Sequence, residues 1–118
     1  MFKKTTDIKD CTILTEIYNS AIAIFDEKDR ADATEDIFYR QIREDENYIY
    51  YGENGVAKAF FSYRKWTEKV YEITSLYVKK EWQRAGIGKS CVEFLEKQIP
   101  MGSVLYVKAL KNADCVAE

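Results

Sequence analysis

The chain has 118 residues, of which 47% are hydrophobic and 32% charged, and its net charge is −2. This length and composition predict a single globular domain over residues 1–118. The slightly acidic balance argues against a nucleic-acid partner, and the absence of any apolar run of ~18 residues argues against a membrane partner.

Cysteine and histidine usage indicates the compartment and the kind of site. Cys11, Cys91 and Cys115 are odd in number and widely spaced, a pattern typical of reduced, packed thiols, and the N-terminus lacks the apolar core of a signal peptide. We therefore expect a cytoplasmic protein. With no histidine and no Cys-x-x-Cys motif, no metal site is predicted.

The first third of the chain predicts a strand and two helices. Residues 2–5 form a short strand, and Asp7 is an N-cap for a long helix that ends near Phe25. Its apolar face has helical spacing, with Ile13, Leu14, Ile17, Tyr18, Ala21, Ile24 and Phe25. After a charged link, Asp32 and Glu35 resemble a capping box for a second helix. Its expected inner residues are Ile37, Phe38, Gln41 and Ile42.

The middle of the chain has the pattern of three antiparallel strands. They are predicted at residues 48–51, 56–65 and 70–78. Asn54-Gly55 suits a type I′ turn between the first two, because both central residues of that turn need positive φ angles. The tyrosines of these strands would line an acceptor pocket or pack against the sheet, and packing is the favoured interpretation.

The last third predicts a helix and a parallel strand. The helix after Gly86 has a buried face made of Ile87, Cys91, Phe94, Leu95, Gln98 and Ile99. Pro100 and Gly102 end it. A strand at residues 104–109 then returns parallel to the strand at 70–78, because a helix connects the two.

The link between that third strand and the helix has the features of a phosphate site. Gly86 and Gly88 remove Cβ atoms from a helix start, where backbone N–H groups lack intrahelical partners and the helix dipole is positive. A basic cluster surrounds this link, made of Lys79, Lys80, Arg84 and Lys89 against a lone Glu81. The simpler alternative is a tight strand–helix connection with no ligand.

Two other phosphate motifs fail at specific positions. The first glycine of a Walker A loop would fall at Gln83, and the third glycine of a dinucleotide fingerprint falls at Cys91. Both alternatives are therefore weak.

The residues Leu76-Tyr77-Val78, then Gln83-x-x-Gly86-x-Gly88, resemble the acetyl-CoA signature of the GNAT N-acetyltransferase superfamily. The predicted order β-α-α-β-β-β-α-β is also similar to that family, from Phe2 onward. The resemblance implies an α/β (α+β) GNAT fold, with a mixed, mostly antiparallel sheet and a parallel pair around the central helix. It implies that acetyl-CoA is the cofactor and that a small-molecule or peptide amine is the acceptor.

The resemblance also assigns roles to residues. Gln83 would belong to the cofactor site, and the main-chain amides of Arg84, Ala85, Gly86, Ile87, Gly88 and Lys89 would bind the diphosphate. The main chain of Leu76 and Val78 would pair with the pantetheine arm, and Asn112 would contact that arm. The implied catalytic residues are Leu76, whose N–H would stabilise the developing oxyanion, and Glu72 as base. The alternative for Glu72 is an exposed strand carboxylate. Strict alternation groups it with Thr74, Leu76 and Val78 unless a β-bulge intervenes.

The sequence departs from the family at its end. Relatives usually continue into an aromatic pair, often Phe-Tyr, and two more strands, whereas this sequence stops at Glu118. We therefore expect a truncated domain without its last two strands, or one that another chain completes, as in a homodimer. The alternatives to an active transferase are an acyl-CoA-binding remnant and an interaction module.

Overall fold

The computed structural model describes residues 1–24 and 34–107, and the order of its elements is the predicted one. The strands are β1 Phe2–Thr5, β2 Glu46–Tyr51, β3 Ala57–Thr67, β4 Val70–Val78 and β5 Val104–Val107, and the helices are α1 Cys11–Ala21, α2 Tyr39–Glu44 and α3 Ile87–Gln98. Phe25, Asp32 and the predicted strand end at 108–109 lie outside the described residues. None of the helices in the described part is both long and apolar enough to cross a bilayer.

The five strands form one sheet in the order β1-β2-β3-β4-β5. Neighbouring strands are antiparallel except β4 and β5, which pair in parallel from Val70↔Val104 to Ile73↔Val107. Helix α3 makes the connection between these two strands, as a parallel pair requires. The mixed α/β architecture with a parallel pair around α3 confirms the predicted fold class.

Each face of the sheet carries its own core. On one face α3 packs through Ile87, Cys91 and Leu95 against β3 and β4. On the other face α1 packs through Cys11, Leu14 and Ile17 with residues of the α2 segment and strands β2 and β3. Aromatic side chains also pack on the sheet, as expected: the rings of Tyr48 and Phe61 are stacked with centroids 5.4 Å apart.

The first helix begins later than predicted. Asp7 caps a 3-10 turn at Ile8–Asp10, where its carboxylate accepts a hydrogen bond from the Lys9 N–H at 2.9 Å, and the α-helix follows from Cys11. The N-cap prediction is therefore right about Asp7 and wrong about the kind of helix that it starts.

Two residues that were predicted to be buried are exposed. Ile37 lies in a 3-10 turn at Glu35–Phe38 and is 59% exposed, while Phe38 is buried. A 3-10 turn has three residues per turn instead of 3.6, so the helical spacing used for the prediction misplaces its faces. Gln98, the last residue of α3, is also exposed.

The hairpin between β2 and β3 is present, but its turn is not type I′. Gly55 has φ 79°, whereas Arg84 is the residue other than glycine with positive φ in the described part of the chain, so Asn54 has negative φ. The Gly55 N–H donates to the Gly52 oxygen at 3.0 Å. This is the three-residue hairpin in which a left-handed glycine follows an ordinary turn.

Candidate active site

The loop between β4 and α3 has two left-handed residues. After a 3-10 turn at Lys80–Trp82, Arg84 adopts φ 65° and Gly86 adopts φ 81°, and α3 begins at Ile87. Glycine takes this conformation without cost, whereas a side-chain-bearing residue such as Arg84 rarely does. Backbone strain of this kind is concentrated at functional sites.

Hydrogen bonds hold this loop against two other elements. Nε2 of Gln83 donates to the backbone oxygen of Val78 at 3.0 Å and to that of Ala21 at 3.4 Å. The Lys80 N–H donates to Oγ of Ser20 at 2.9 Å. The loop is thus fixed both to the end of β4 and to the end of α1.

The start of α3 is suited to an anion. The amides of Ile87, Gly88 and Lys89 lie in its first turn and have no intrahelical acceptor. Gly88 is buried, whereas the side chains of Lys80 and Lys89 are exposed at this end of the molecule, as are Arg84 and Ala85. Amides without intrahelical acceptors, exposed positive side chains and the positive end of the helix dipole together are suited to bind an anion such as a diphosphate.

The register of β3 and β4 fixes the direction of the β4 main chain. The Lys79 N–H donates to the Lys58 oxygen at 2.9 Å, and the next three pairs along the ladder are Ala59↔Val78, Phe60↔Tyr77 and Phe61↔Leu76. In an antiparallel ladder, hydrogen-bonded and non-hydrogen-bonded pairs alternate. The main-chain N–H and C=O groups of Leu76 and Val78 therefore face away from β3, toward the edge on which β5 lies.

A β-bulge in β4 changes the face on which Glu72 lies. Ser62 pairs with Ser75 but Tyr63 pairs with Ile73, so Thr74 is an extra residue. Ile73 and Leu76 consequently share the α3-side core, although they are three positions apart. The alternation that grouped Glu72 with Leu76 and Val78 is wrong, because it assumes an uninterrupted strand.

Glu72 lies on the opposite face, where β3 holds its side chain. Nε1 of Trp66 donates to Oε1 of Glu72 at 2.9 Å, and Arg64 is the cross-strand neighbour of Glu72. Glu72 as a whole residue is partly exposed. Its carboxylate is therefore oriented by a neighbour on a residue that solvent still reaches in part.

A polar cluster beside Glu72 was missed by the sequence reasoning. Asp45, directly after α2, accepts hydrogen bonds from Arg64 and from Thr74, both at 2.8 Å. A pocket of about 300 Å³ adjoins this cluster; its lining includes Arg43, Asp45, Tyr63, Arg64 and Lys65. Asp45 is part of no motif, and only the folded sheet brings it next to β4.

The predicted site residues are thus found in two groups. Those from Gln83 to Gly86 end the loop before α3 and those from Ile87 to Lys89 form the first turn of α3, whereas Leu76, Val78 and Glu72 lie on β4, which leads into that loop. Asn112 lies outside the described residues.

Comparison with a protein-family model gave a match over residues 14–110, well over half of the chain. The model describes the acetyltransferase (GNAT) family. No curated protein sequence matched the chain.

Three solved structures illustrate the similarity in fold. The crystal structure of a possible acetyltransferase from Clostridium difficile 630 superposes with a TM-score of 0.67 at 14% identity, covering 94% of this chain and 80% of that one. A ribosomal-protein-alanine N-acetyltransferase from Brucella melitensis biovar Abortus 2308 gives 0.70 at 14% identity, covering 100% and 87%. A GCN5-related N-acetyltransferase from Sphaerobacter thermophilus gives 0.73 at 12% identity, covering 98% of this chain but 41% of that one. This chain covers 65% and 56% of the length of two further acetyltransferase structures.

Proposed function

Because this chain belongs to the acetyltransferase (GNAT) family, we propose that it is an N-acetyltransferase that takes the acetyl group from acetyl-CoA to a primary amine by direct attack. One observation carries the proposal: the left-handed residues Arg84 and Gly86 turn the chain into α3 just beyond β4. The amides proposed to bind the diphosphate therefore follow directly after the strand whose main chain at Leu76 and Val78 faces away from β3.

The binding roles follow that path. The amides along residues 84–89, with the positive charge of Lys89 and Arg84, would hold the diphosphate. The main chain of Leu76 and Val78, which faces away from β3, would pair with the pantetheine arm as an added strand does. The Val78 oxygen already accepts from Gln83, so Gln83 would act by fixing the strand end. Asn112 is proposed as a further contact to that arm.

Bound acetyl-CoA supplies the acetyl group as a thioester. A primary amine has a reference pKa near ~10.4, so the amine must lose a proton before it attacks. We assign this proton to the Glu72 carboxylate, directly or through water. A C–N bond would replace the C–S bond of the thioester, and the electron pair of the broken bond would stay on the coenzyme A sulfur as a thiolate.

Leu76 would stabilise the charge that develops on the acetyl oxygen. Its N–H lies on the edge of β4 opposite to β3, by the alternation of the ladder. A preorganised backbone donor at such a position typically lowers the barrier by several kcal/mol. No general acid is assigned, because a thiolate leaves without prior protonation more readily than an alkoxide or an amide does.

The acceptor is proposed to be a small-molecule or peptide amine that approaches Glu72 from the face of the sheet on which α1 and α2 pack. A cytoplasmic location and a homodimer are proposed with it. Cys11 is a buried free thiol, which accords with a reducing compartment. Size-exclusion chromatography with light scattering would test the dimer.

The experiment that tests the function combines binding with turnover. Calorimetry with coenzyme A is expected to show one site, which Gly86→Glu abolishes by adding bulk and negative charge to the cradle. Gly102→Glu is the matched control, because Gly102 also has positive φ, 85°, and nothing lies within 4 Å of a Cβ built there. Thiol release with a panel of primary amines then measures transfer.

Three results would contradict the proposal at different points. If the wild-type chain does not bind coenzyme A, the proposal that acetyl-CoA is the cofactor is wrong. If the wild type and Gly86→Glu bind coenzyme A with equal affinity, the binding site does not include the loop at Gly86. Binding without release of thiol on any amine would favour a non-catalytic acyl-CoA-binding remnant.

A further inference from the structure

The β-bulge in β4 determines on which face of the strand Glu72 and Leu76 each lie. Thr74 is the extra residue, between the pairs Ser62↔Ser75 and Tyr63↔Ile73. In a regular strand, residues four apart lie on one face, so Glu72 and Leu76 would point to the same side. With the bulge, Leu76 lies in the α3-side core while Glu72 is held by Trp66 on the other face.

Side chains hold this bulge where the ladder between strands is interrupted. Oγ1 of Thr74 donates to Oδ2 of Asp45 at 2.8 Å and lies 2.7 Å from Oγ of Ser62. Since the Thr74 hydrogen points at Asp45, the Ser62 hydroxyl is the donor in the second bond. Ser75, the next residue, donates to Oε1 of Gln41 at 2.9 Å.

Asp45 is itself fixed on several sides. Its side chain is 4% exposed, and NH2 of Arg64 lies 2.8 Å from Oδ1. The fully buried Asn47 donates through Nδ2 to the backbone oxygens of Asp45 and Gln41, at 2.9 and 3.0 Å. A buried carboxylate with these partners is a rigid anchor, because moving it would leave charged groups unpaired.

From this geometry we propose that Asp45 is a positioning residue for acetyl transfer. Through its bond with Thr74 it holds the bulge of β4, and the bulge sets the Glu72 carboxylate and the Leu76 main chain at the angle that the reaction needs. A slip of one residue at this point would exchange the two faces of the strand. The inference rests on the proposed function and adds residues that touch neither cofactor nor acceptor.

Paired variants at Thr74 test it. Thr74→Val keeps the shape of the side chain and removes its hydroxyl, whereas Thr74→Ser keeps the hydroxyl. We expect kcat per folded molecule to fall about ten- to a hundredfold in Thr74→Val, because small misplacements of reacting groups have effects of this size. Thr74→Ser should restore most of the rate. Coenzyme A affinity should stay near that of the wild type, because other bonds hold residues 83–89.

A double-mutant cycle separates positioning from general damage. Asp45→Asn weakens the same bond from its other end, so the double variant Asp45→Asn/Thr74→Val should lose no more kcat than the more damaged single variant. Thr67→Val, at the exposed end of β3, is the matched control and should leave kcat unchanged. Circular dichroism and thermal unfolding give the folded fraction to which each kcat is normalised.

A wild-type kcat per folded molecule in both Thr74→Val and Asp45→Asn would overturn the inference. If the wild-type chain shows no transfer at all, the proposed function fails, and amide hydrogen exchange then decides the inference on its own. Faster exchange at Ser75, whose pair with Ser62 adjoins the bulge, in Thr74→Val than in Thr74→Ser would support it. Equal exchange in the two variants would overturn it.

Discussion

Nε2 of Gln83 lies 3.0 Å from the backbone oxygen of Val78, so the residue that follows the 3-10 turn of the loop is hydrogen-bonded to the last residue of β4. We expect Gln83→Ala to weaken coenzyme A binding about tenfold, because one lost hydrogen bond of ~1 kcal/mol or more would release both the strand end and the loop. Calorimetry measures the affinity. Gln98→Ala, an exposed glutamine on the last turn of α3, is the control, and equal affinities of the two variants would contradict the role of Gln83.

Glu72 is the expected proton acceptor, so its removal should lower the rate and leave cofactor binding intact. Glu72→Gln keeps an acceptor for the Trp66 indole and loses the base. We expect kcat to fall about a hundredfold or more, and the remaining rate to rise with pH as free amine becomes available in solution. Steady-state kinetics across pH measures both effects. Glu68→Gln, an exposed carboxylate on the β3–β4 turn, is the control.

Positive charge at the loop should contribute a salt-dependent part of the affinity. Lys80 and Lys89 are exposed, so each contributes about 1 kcal/mol at most, and added salt screens it. The double variant Lys80→Gln/Lys89→Gln should bind coenzyme A more weakly at low salt and approach wild-type affinity at high salt. Lys3→Gln/Lys9→Gln, which changes the net charge equally, should show no such difference by calorimetry.

Tyr63 should make the fold sensitive to alkali. Its burial, with the neighbouring Tyr48 and Glu46 adding to the effect, raises the pKa of the Tyr63 phenol to about 12, above its usual value near ~10. Because the folded state favours the neutral phenol, this contribution to stability is fully present below pH ~10 and is lost as pH rises toward ~12. Its size is about 1–2 kcal/mol after allowance for partial exposure.

Urea unfolding between neutral and alkaline pH measures this loss. Tyr63→Phe cannot ionise, so its free energy of unfolding should fall less steeply above pH ~10 than that of the wild type. Tyr106→Phe, at a phenol that is 59% exposed, should keep the wild-type slope. Identical slopes for the wild type and Tyr63→Phe would contradict the assignment.

The loop and the order of elements were predictable because their signals are local. Gly86 at a helix start, Pro100 after its end and the apolar, β-branched run in β4 each act over a few residues of sequence. The structure confirms them with α3 at Ile87–Gln98 and β4 at Val70–Val78. The turn at Asn54-Gly55 was predicted as a hairpin but assigned the wrong type, since two turn types share the same glycine.

The polar support of the site was not predictable from local sequence. The bulge at Thr74 depends on how β3 pairs with β4, and the role of Asp45 depends on a contact 29 positions away along the chain. Neither feature is indicated by a hydrophobic periodicity or by a sequence motif. A β-bulge that changes the face on which Glu72 lies could nevertheless be allowed for from the sequence, because strand irregularities are frequent beside such sites.

The bond between the Lys80 N–H and Ser20, with that between Gln83 and Ala21, limits how this domain can be re-engineered. A chimera that takes the first helix from a homologue to change acceptor preference would also replace the residues at the end of α1 that hold the loop between β4 and α3. Such chimeras should therefore retain a hydroxyl at position 20; without it, we expect the affinity for coenzyme A to change together with the acceptor preference.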